Sequence, residues 1–183
     1  MTDDELMRRG AEGDEDAFRI LVERWERPVF AFLERMTGSR EDAQDLGQET
    51  FSRMCWEASR YEASGKFRSW LFRIAGNLAR SHLRRRKVLE WIRFEPGRHD
   101  PVSSEDDRAD RALEREETRR AVRSGLAKLP PRQRQAAILK VYEGCSYREI
   151  ADVMATTVPA VESLLQRAMA ALRRDFGRRG VRP

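Results

Sequence analysis

At 183 residues, 40% hydrophobic and 37% charged, the chain has material for one ordinary domain or two small ones, which excludes a large single core. A formal charge of +5 and a pI near 9.7 suit a polyanionic partner, while 31 acidic residues exclude a simple cationic tail protein. Lone cysteines at 55 and 145, and His82 and His99 without a common cluster, exclude a structural zinc site and a His-based nucleophile system.

Lysine occurs only at Lys66, Lys87, Lys128 and Lys140, so 32 of the 36 basic residues are arginine, the side chain that grips phosphate and guanine bidentately. A GC-rich genome would leave the same bias. The acidic start from Met1 to Gly13 lacks the long apolar core of a secretory signal, and no stretch is apolar enough to span a bilayer. A cytoplasmic protein without membrane insertion is expected.

Helix-type spacing runs through almost the whole chain, with glycines and prolines between the periodic runs, so the fold class is all-α. Ala17, Phe18, Leu21, Val22, Trp25, Val29, Phe32 and Leu33 form the stripe of a first long helix that ends near Gly38. A second opens at Ser39, which with Asp42 makes a capping box, and buries Ala43, Leu46, Thr50, Phe51 and Met54. Asp42, Asp45 and Glu49, at i, i+3 and i+7, share its exposed side. Three readings stand for these carboxylates: a docking surface for a basic partner, a solvated face, or the acids of a metal-dependent nuclease. The last lacks a coordination shell.

Next comes the polar loop Ser59 to Gly65, whose Tyr61 either stacks on an unpaired base or anchors the loop to the core. A third helix starts near Lys66 with Phe67, Trp70, Leu71, Ile74 and Leu78 on its inner side. Arg73, Asn77, Arg80 and Arg84 repeat along another side as a basic stripe suited to a nucleic-acid backbone. The three stripes can close on one another as one small body.

From Val88 to about Asp110 the periodicity fails and Pro96, Gly97, Pro101, Ser103, Ser104 and a run of acids read as a flexible linker. Helical spacing resumes at Leu113, breaks at Pro130 and Pro131, and continues through Ala136, Leu139 and Tyr142 to Gly144. Ser146 with Glu149 is a capping box for a short helix carrying Ile150, Ala151, Val153 and Met154. Thr157 caps the last helix, whose inner face is Val161, Leu164, Leu165, Ala168 and Leu172. Its other face presents Glu162, Ser163, Gln166, Arg167, Arg173 and Arg174, side chains able to read base edges or hold phosphates. That is a helix-turn-helix, although geometry alone leaves room for an ordinary helical hairpin. The tail from Gly177 to Pro183 is expected to be disordered, with no further domain after it.

With these residues in view, the chain resembles an extracytoplasmic-function (group 4) sigma factor of the sigma-70 family. Asp42 to Phe51 is similar to the family's core-binding region 2.2. Phe67 to Lys87, with Trp70-Leu71-Phe72-Arg73-Ile74-Ala75 and Asn77-Leu78 at its heart, is similar to regions 2.3 and 2.4. Leu129-Pro130-Pro131-Arg132-Gln133-Arg134, followed by Tyr142 to Ala151, is similar to region 4. The resemblance implies a sigma2-like domain at 1–87, a linker at 88–111, a sigma4-like helix-turn-helix domain at 112–176 and a tail at 177–183. It implies that Asp42, Asp45, Gln48 and Glu49 meet the clamp helices of the polymerase β′ subunit. Tyr61, Ser64, Arg73, Asn77, Arg80 and Arg84 would meet the opening −10 DNA. Arg148, Glu162, Ser163, Gln166, Arg167 and Arg173 would meet the −35 duplex, with another face of region 4 on the β flap.

It further implies promoter DNA, core RNA polymerase and an anti-sigma factor as partners. No catalytic site, cofactor, metal or small-molecule substrate is implied, because polymerase does the chemistry. Glu162 and Gln166 depart from the basic and aromatic or His residues frequent in relatives, which leaves the −35 sequence open. Gly47 is a weak helix former within the core-binding helix, where it would permit close packing.

Overall fold

The computed structural model describes the backbone of residues 1–93 and 111–179, with side chains at 1–89 and 119–178. The described elements are helices, with no strand among them, as the periodicity predicts.

The first helix, α1 (Asp3–Ala11), is one that the sequence reading does not assign. Thr2 caps it by accepting from the Glu5 amide at 3.2 Å, and Asp3, Asp4 and Glu5 sit in its first turn with Arg8 and Arg9 in its last, each sign where the helix dipole favours it. It holds to the body through Leu6 and Met7, both fully buried.

The long helix α2 (Glu15–Thr37) starts at Asp14, which accepts from the Ala17 amide, and stops at Gly38, whose left-handed φ of 76° lets the chain leave the helix. Its predicted stripe is the core: Ala17, Leu21, Val29, Phe32, Leu33 and Met36 are buried.

Helix α3 (Arg40–Trp56) packs on α2 through Ala43, Leu46, Gly47 and Met54. Ser39 caps it as expected, but the other half of the expected capping box is not made. Asp42 turns instead toward the helix packed alongside, where His82 Nε2 lies 3.2 Å from its carboxylate and Arg86 4.0 Å. Gly47 corrects a second expectation. A Cβ there would meet only Leu33 Cδ1, at 3.9 Å, which is ordinary contact, so close packing does not require glycine. Gly47→Ala is therefore expected to stabilise the fold by about 0.5–1 kcal/mol through helix propensity, read as a raised midpoint in urea unfolding.

A single 3-10 turn (Ala58–Arg60) and a short loop lead to α4 (Phe67–Arg93), which buries Phe67, Leu71, Phe72, Ile74, Ala75, Leu78 and Ala79. Phe72 sits edge-on to Phe32 with centroids 5.1 Å apart and to Trp25 at 6.1 Å, an arrangement favoured by the ring quadrupoles. The helix continues past the linker start expected at Val88. Arg84 to Leu89 are exposed, Val88 and Leu89 by about half, so this part of the helix buries no apolar face that periodicity could report. The rest of the expected linker, residues 94–110, lies outside the described residues.

The second body comprises α5 (Arg111–Lys128), α6 (Pro131–Val141), α7 (Tyr147–Met154) and α8 (Val158–Arg179). Pro131 opens α6 in its first turn, where a missing N–H costs nothing. Ser146 and Glu149 make both halves of the predicted capping box, at 3.2 and 2.7 Å. Thr157 accepts from the Ala160 amide at the start of α8. That helix runs through Gly177 to Arg179, into the segment expected to be a disordered tail.

The two bodies pack against each other, α7 on α4 and α6 on α2. Arg134, 7% exposed, spans the joint: its guanidinium donates to the Met36 carbonyl at 2.6 Å and to the Leu129 carbonyl of its own body at 3.3 Å. Burial, helped by the nearby Arg86 charge, lowers its pKa to about 10. It remains a cation at neutral pH, held by carbonyl dipoles.

Candidate protein and nucleic-acid interfaces

Helix α3 turns its apolar side to α2 and α4, so its polar side faces outward. Asp45, Gln48 and Glu49 are exposed there as expected. Asp42 is less exposed than they are, at 26% of its side chain, with His82 Nε2 3.2 Å and Arg86 4.0 Å from its carboxylate. Glu49 makes an exposed i, i+4 pair with Arg53 at 2.7 Å, the kind of pair worth only a few tenths of a kcal/mol and easily exchanged for another partner.

The same side carries a residue the sequence reading missed. Asp45, Glu49, Ser52 and Trp56 follow one another at i, i+4, i+7 and i+11, and the Trp56 indole is 82% exposed at the end of the helix. Extending the acidic spacing by two more turns would have found it. An exposed tryptophan of this kind is the side chain most enriched among the anchors of protein-binding surfaces.

In the loop before α4, Tyr61 makes the contacts of a loop anchor. Its ring lies against Trp70, with centroids 4.9 Å apart, and edge-on to Phe67 at 5.9 Å, while its hydroxyl donates to the Asp4 carboxylate. These contacts anchor the loop to the body, and the ring is partly exposed. Burial first, then the Asp4 hydrogen bond and charge, push the phenol far above its ordinary pKa. Ser64 is exposed on the same loop.

The basic stripe of α4 faces the second body. Arg73 donates to the Asp152 carbonyl of α7 at 3.1 and 2.5 Å, and Lys66 pairs with the Asp152 carboxylate at 2.9 Å. Arg80 donates to Gln135 Oε1 of α6 at 2.9 Å and to Asn77 Oδ1. Burial, then repulsion from Arg132 and Arg84, lowers the Arg80 pKa. Arg84 is exposed, 3.4 Å from the Ser81 hydroxyl. Asn77, Arg80 and Arg84 line an open cleft of about 900 Å³ between the bodies, with Leu83, Pro131 and Met154 on its apolar side. Glu143 closes the far side of the joint, 4.0 Å from Arg35 and 3.9 Å from Arg68. Desolvation raises its pKa and the two arginines oppose that shift.

In the second body, α7 and α8 meet at the turn Ala155–Thr157, where Ala155 adopts φ 47° without being glycine. Glu162, Gln166 and Arg173 line a groove of about 590 Å³ on the outer side of α8, together with Leu165, Met169 and Tyr147. Arg167 and Arg148 are exposed outside that lining, and Ser163 is half-buried. Tyr147, unassigned by the sequence reading, projects beside the capping box with the Lys140 ammonium 5.1 Å from its ring centre. The groove therefore holds one acid, one amide, one guanidinium and one phenol, a set able both to donate to and accept from base edges. Among the described residues, no group of three or more His, Cys, Asp or Glu side chains is placed to hold a metal ion. Nor is any helix among them long and apolar enough to cross a membrane.

Comparison with known proteins bears on both bodies. Residues 21–88 match the family model of Sigma-70 region 2, and residues 119–172 match that of Sigma-70, region 4. The chain is 32% identical to the RNA polymerase sigma-H factor of Pseudomonas aeruginosa over 93% of its own length and 91% of the relative's. It is 32% identical to the ECF RNA polymerase sigma-E factor of Haemophilus influenzae, over 92% of each chain. Among solved structures it is similar to CnrH, determined in complex with the cytosolic domain of CnrY, with a TM-score of 0.68, 28% identity and 94% and 95% of the two chains covered. Helices α2, α3 and α4, which carry the acidic and basic faces, hold the region 2 segment, the helix-turn-helix lies in the region 4 segment, and the chain belongs to the sigma-70 family as a sigma factor of the extracytoplasmic-function type.

Proposed function

We propose that the chain, as a sigma factor directing core RNA polymerase to promoters, divides that work among three surfaces of its two bodies. The exposed side of α3, with Asp45, Gln48, Glu49 and Trp56, docks on the β′ clamp helices. Asp42 supports it from behind by tying α3 to α4. The loop with Ser64 and the stripe Arg73, Asn77, Arg80 and Arg84 receive the opening −10 DNA. The groove of α8, with Glu162, Gln166 and Arg173, reads the −35 duplex, flanked by Arg148, Ser163 and Arg167, and another face of region 4 rests on the β flap. The factor has no chemistry of its own in this reading, needs no cofactor, and works in the cytoplasm, where polymerase is found.

The observation that carries the proposal is the separation of chemistry between faces. The reading groove of α8 is open, the acids and Trp56 of α3 point outward, and the basic stripe of α4 is engaged by Asp152 and Gln135 of the second body. In this arrangement the −35 groove is open, while Arg73 and Arg80 of the −10 stripe hold the second body and Asn77 and Arg84 stay exposed. Holding both bodies on polymerase would separate them and make the second DNA contact effectively intramolecular. An anti-sigma factor is a further expected partner. RpoE from Bartonella quintana, a structure of the same fold, was determined in complex with the anti-sigma factor NepR.

The test is promoter selection by reconstituted holoenzyme from a library randomised at −35 and −10. Gln166→Ala or Arg173→Ala is expected to cost about 1–3 kcal/mol at the −35 position each one reads and to leave −10 selection unchanged. Loss of selectivity at both elements together would count against the division of labour.

A further inference from the structure

The residues that flank the −10 loop do not explain why it holds one shape. Glu62, Ala63 and Ser64 at its tip are exposed, and a short polar loop of this kind is ordinarily mobile. Both ends of the tip converge on one carboxylate outside the matched family segments, that of Asp4 in α1. One of its oxygens accepts from the Tyr61 hydroxyl and the other from the Gly65 amide. Gly65 has φ +72° with open space around it, so this turn requires glycine for its backbone conformation.

Asp4 is itself firmly mounted. Leu6 and Met7 bury the inner side of α1, and neighbouring Asp3 pairs with Arg24 and accepts from Trp25 Nε1 at 3.2 Å, both on α2. Trp25 in turn contacts Phe67 and Phe72 of α4. The tip is thus fixed on one side through the Tyr61 ring on Trp70 and Phe67 and on the other through a carboxylate bolted to α2.

We infer that Asp4 is a positioning residue for promoter melting: by clamping Tyr61 and Gly65 it sets the loop tip in a base-receiving shape before DNA arrives and thereby sets base selectivity at the −10 element. The inference rests on the reading of this loop as the −10 contact. Asp4 does not touch DNA. It removes conformational freedom that the tip would otherwise lose on capturing an unpaired base, and a preorganised tip discriminates between bases that a mobile one would accommodate.

The experiment uses full-length factor on core polymerase, with Asp4→Ala, Asp4→Asn, Tyr61→Phe and the double variant Asp4→Ala/Tyr61→Phe. Transcripts are measured from the best promoter selected by the unmodified holoenzyme and from its single-base variants at −10 and at −35. Asp4→Ala is expected to reduce discrimination among −10 bases about tenfold, equivalent to about 1.4 kcal/mol, while −35 discrimination and core affinity stay within about twofold. Asp4→Asn, which can still accept at one oxygen, should fall between. The double variant should be no worse than Asp4→Ala, since both act on one clamp.

Unchanged −10 discrimination in Asp4→Ala, alongside altered discrimination in Ser64→Ala or Asn77→Ala, overturns the inference and leaves the loop reading standing. A uniform loss across −10, −35 and core affinity overturns it too, since it would make Asp4 a prop for the fold. If Ser64→Ala and Asn77→Ala also leave −10 discrimination intact, the loop reading itself fails.

Discussion

Asp45→Arg/Glu49→Arg is expected to weaken binding to core RNA polymerase by about a hundredfold, measured as competition with a labelled unmodified factor. Both side chains are exposed and stand one turn apart on the outward side of α3, so reversal leaves the packed side of the helix intact. Glu49 will lose its pair with Arg53, but an exposed pair of this kind contributes too little to unfold anything. Trp56→Ala on the same side should cost about tenfold by removing an aromatic anchor. Asp42→Arg is a different experiment. It places a second cation against His82 and Arg86, so its effect should appear first in unfolding and only then in polymerase binding. Normal polymerase affinity in the double reversal, with the fold intact, would remove α3 as the docking helix.

The second large effect is expected at Gly76, which packs tightly against Gln135 of the second body. A Cβ there would lie 2.2 Å from Gln135 Nε2 and 3.0 Å from Gln135 Cδ, and Gln135 is itself fully buried. Inside α4 a larger residue is welcome, because glycine is the poorest ordinary helix former. Against the second body it is not. Gly76→Leu should therefore leave the first body as stable as before, or more so, while overpacking the joint by about 1–3 kcal/mol, a shift of roughly tenfold to a hundredfold toward separated bodies. An increased radius of gyration in small-angle scattering, with loss of protection at the Arg80–Gln135 contact, is the expected result. A variant that stays as closed as the unmodified chain would show that the joint at Gly76 can repack around a leucine.

The contrast between Gly76 and Gly47 shows how far the sequence could be read. Both glycines stand in helices whose periodicity is plain, and sequence alone invites the idea that Gly47 serves close packing. The coordinates give that role to Gly76, because the contact it makes is with a residue 59 positions away along the chain. Local devices were legible throughout: the caps at Ser39, Ser146 and Thr157, the stop at Gly38, the stripe of α2 and the paired helices α7 and α8 each depend on residues within a few turns of one another.

Features that depend on distant pairs were not legible. Asp42 is exposed by its own helical spacing and becomes engaged only because α4 brings His82 alongside. The anchoring of Tyr61 depends on Asp4, from a helix too short to show a period. The later part of α4 failed in the opposite direction, since periodicity reports burial, and the exposed run Arg84 to Leu89 leaves no pattern to read. The acidic and basic faces were both visible as composition. That the basic one meets the second body depends on Asp152 and Gln135, residues whose sequence neighbours give no hint of it.

The central claim is that this chain confers promoter selectivity on a polymerase that lacks it. The direct measurement is transcription by purified core RNA polymerase on the promoter library, with and without the full-length factor. The account predicts initiation concentrated on promoters sharing a −35 and a −10 element, and dependent on the factor. Initiation as scattered with the factor as without it would contradict the account.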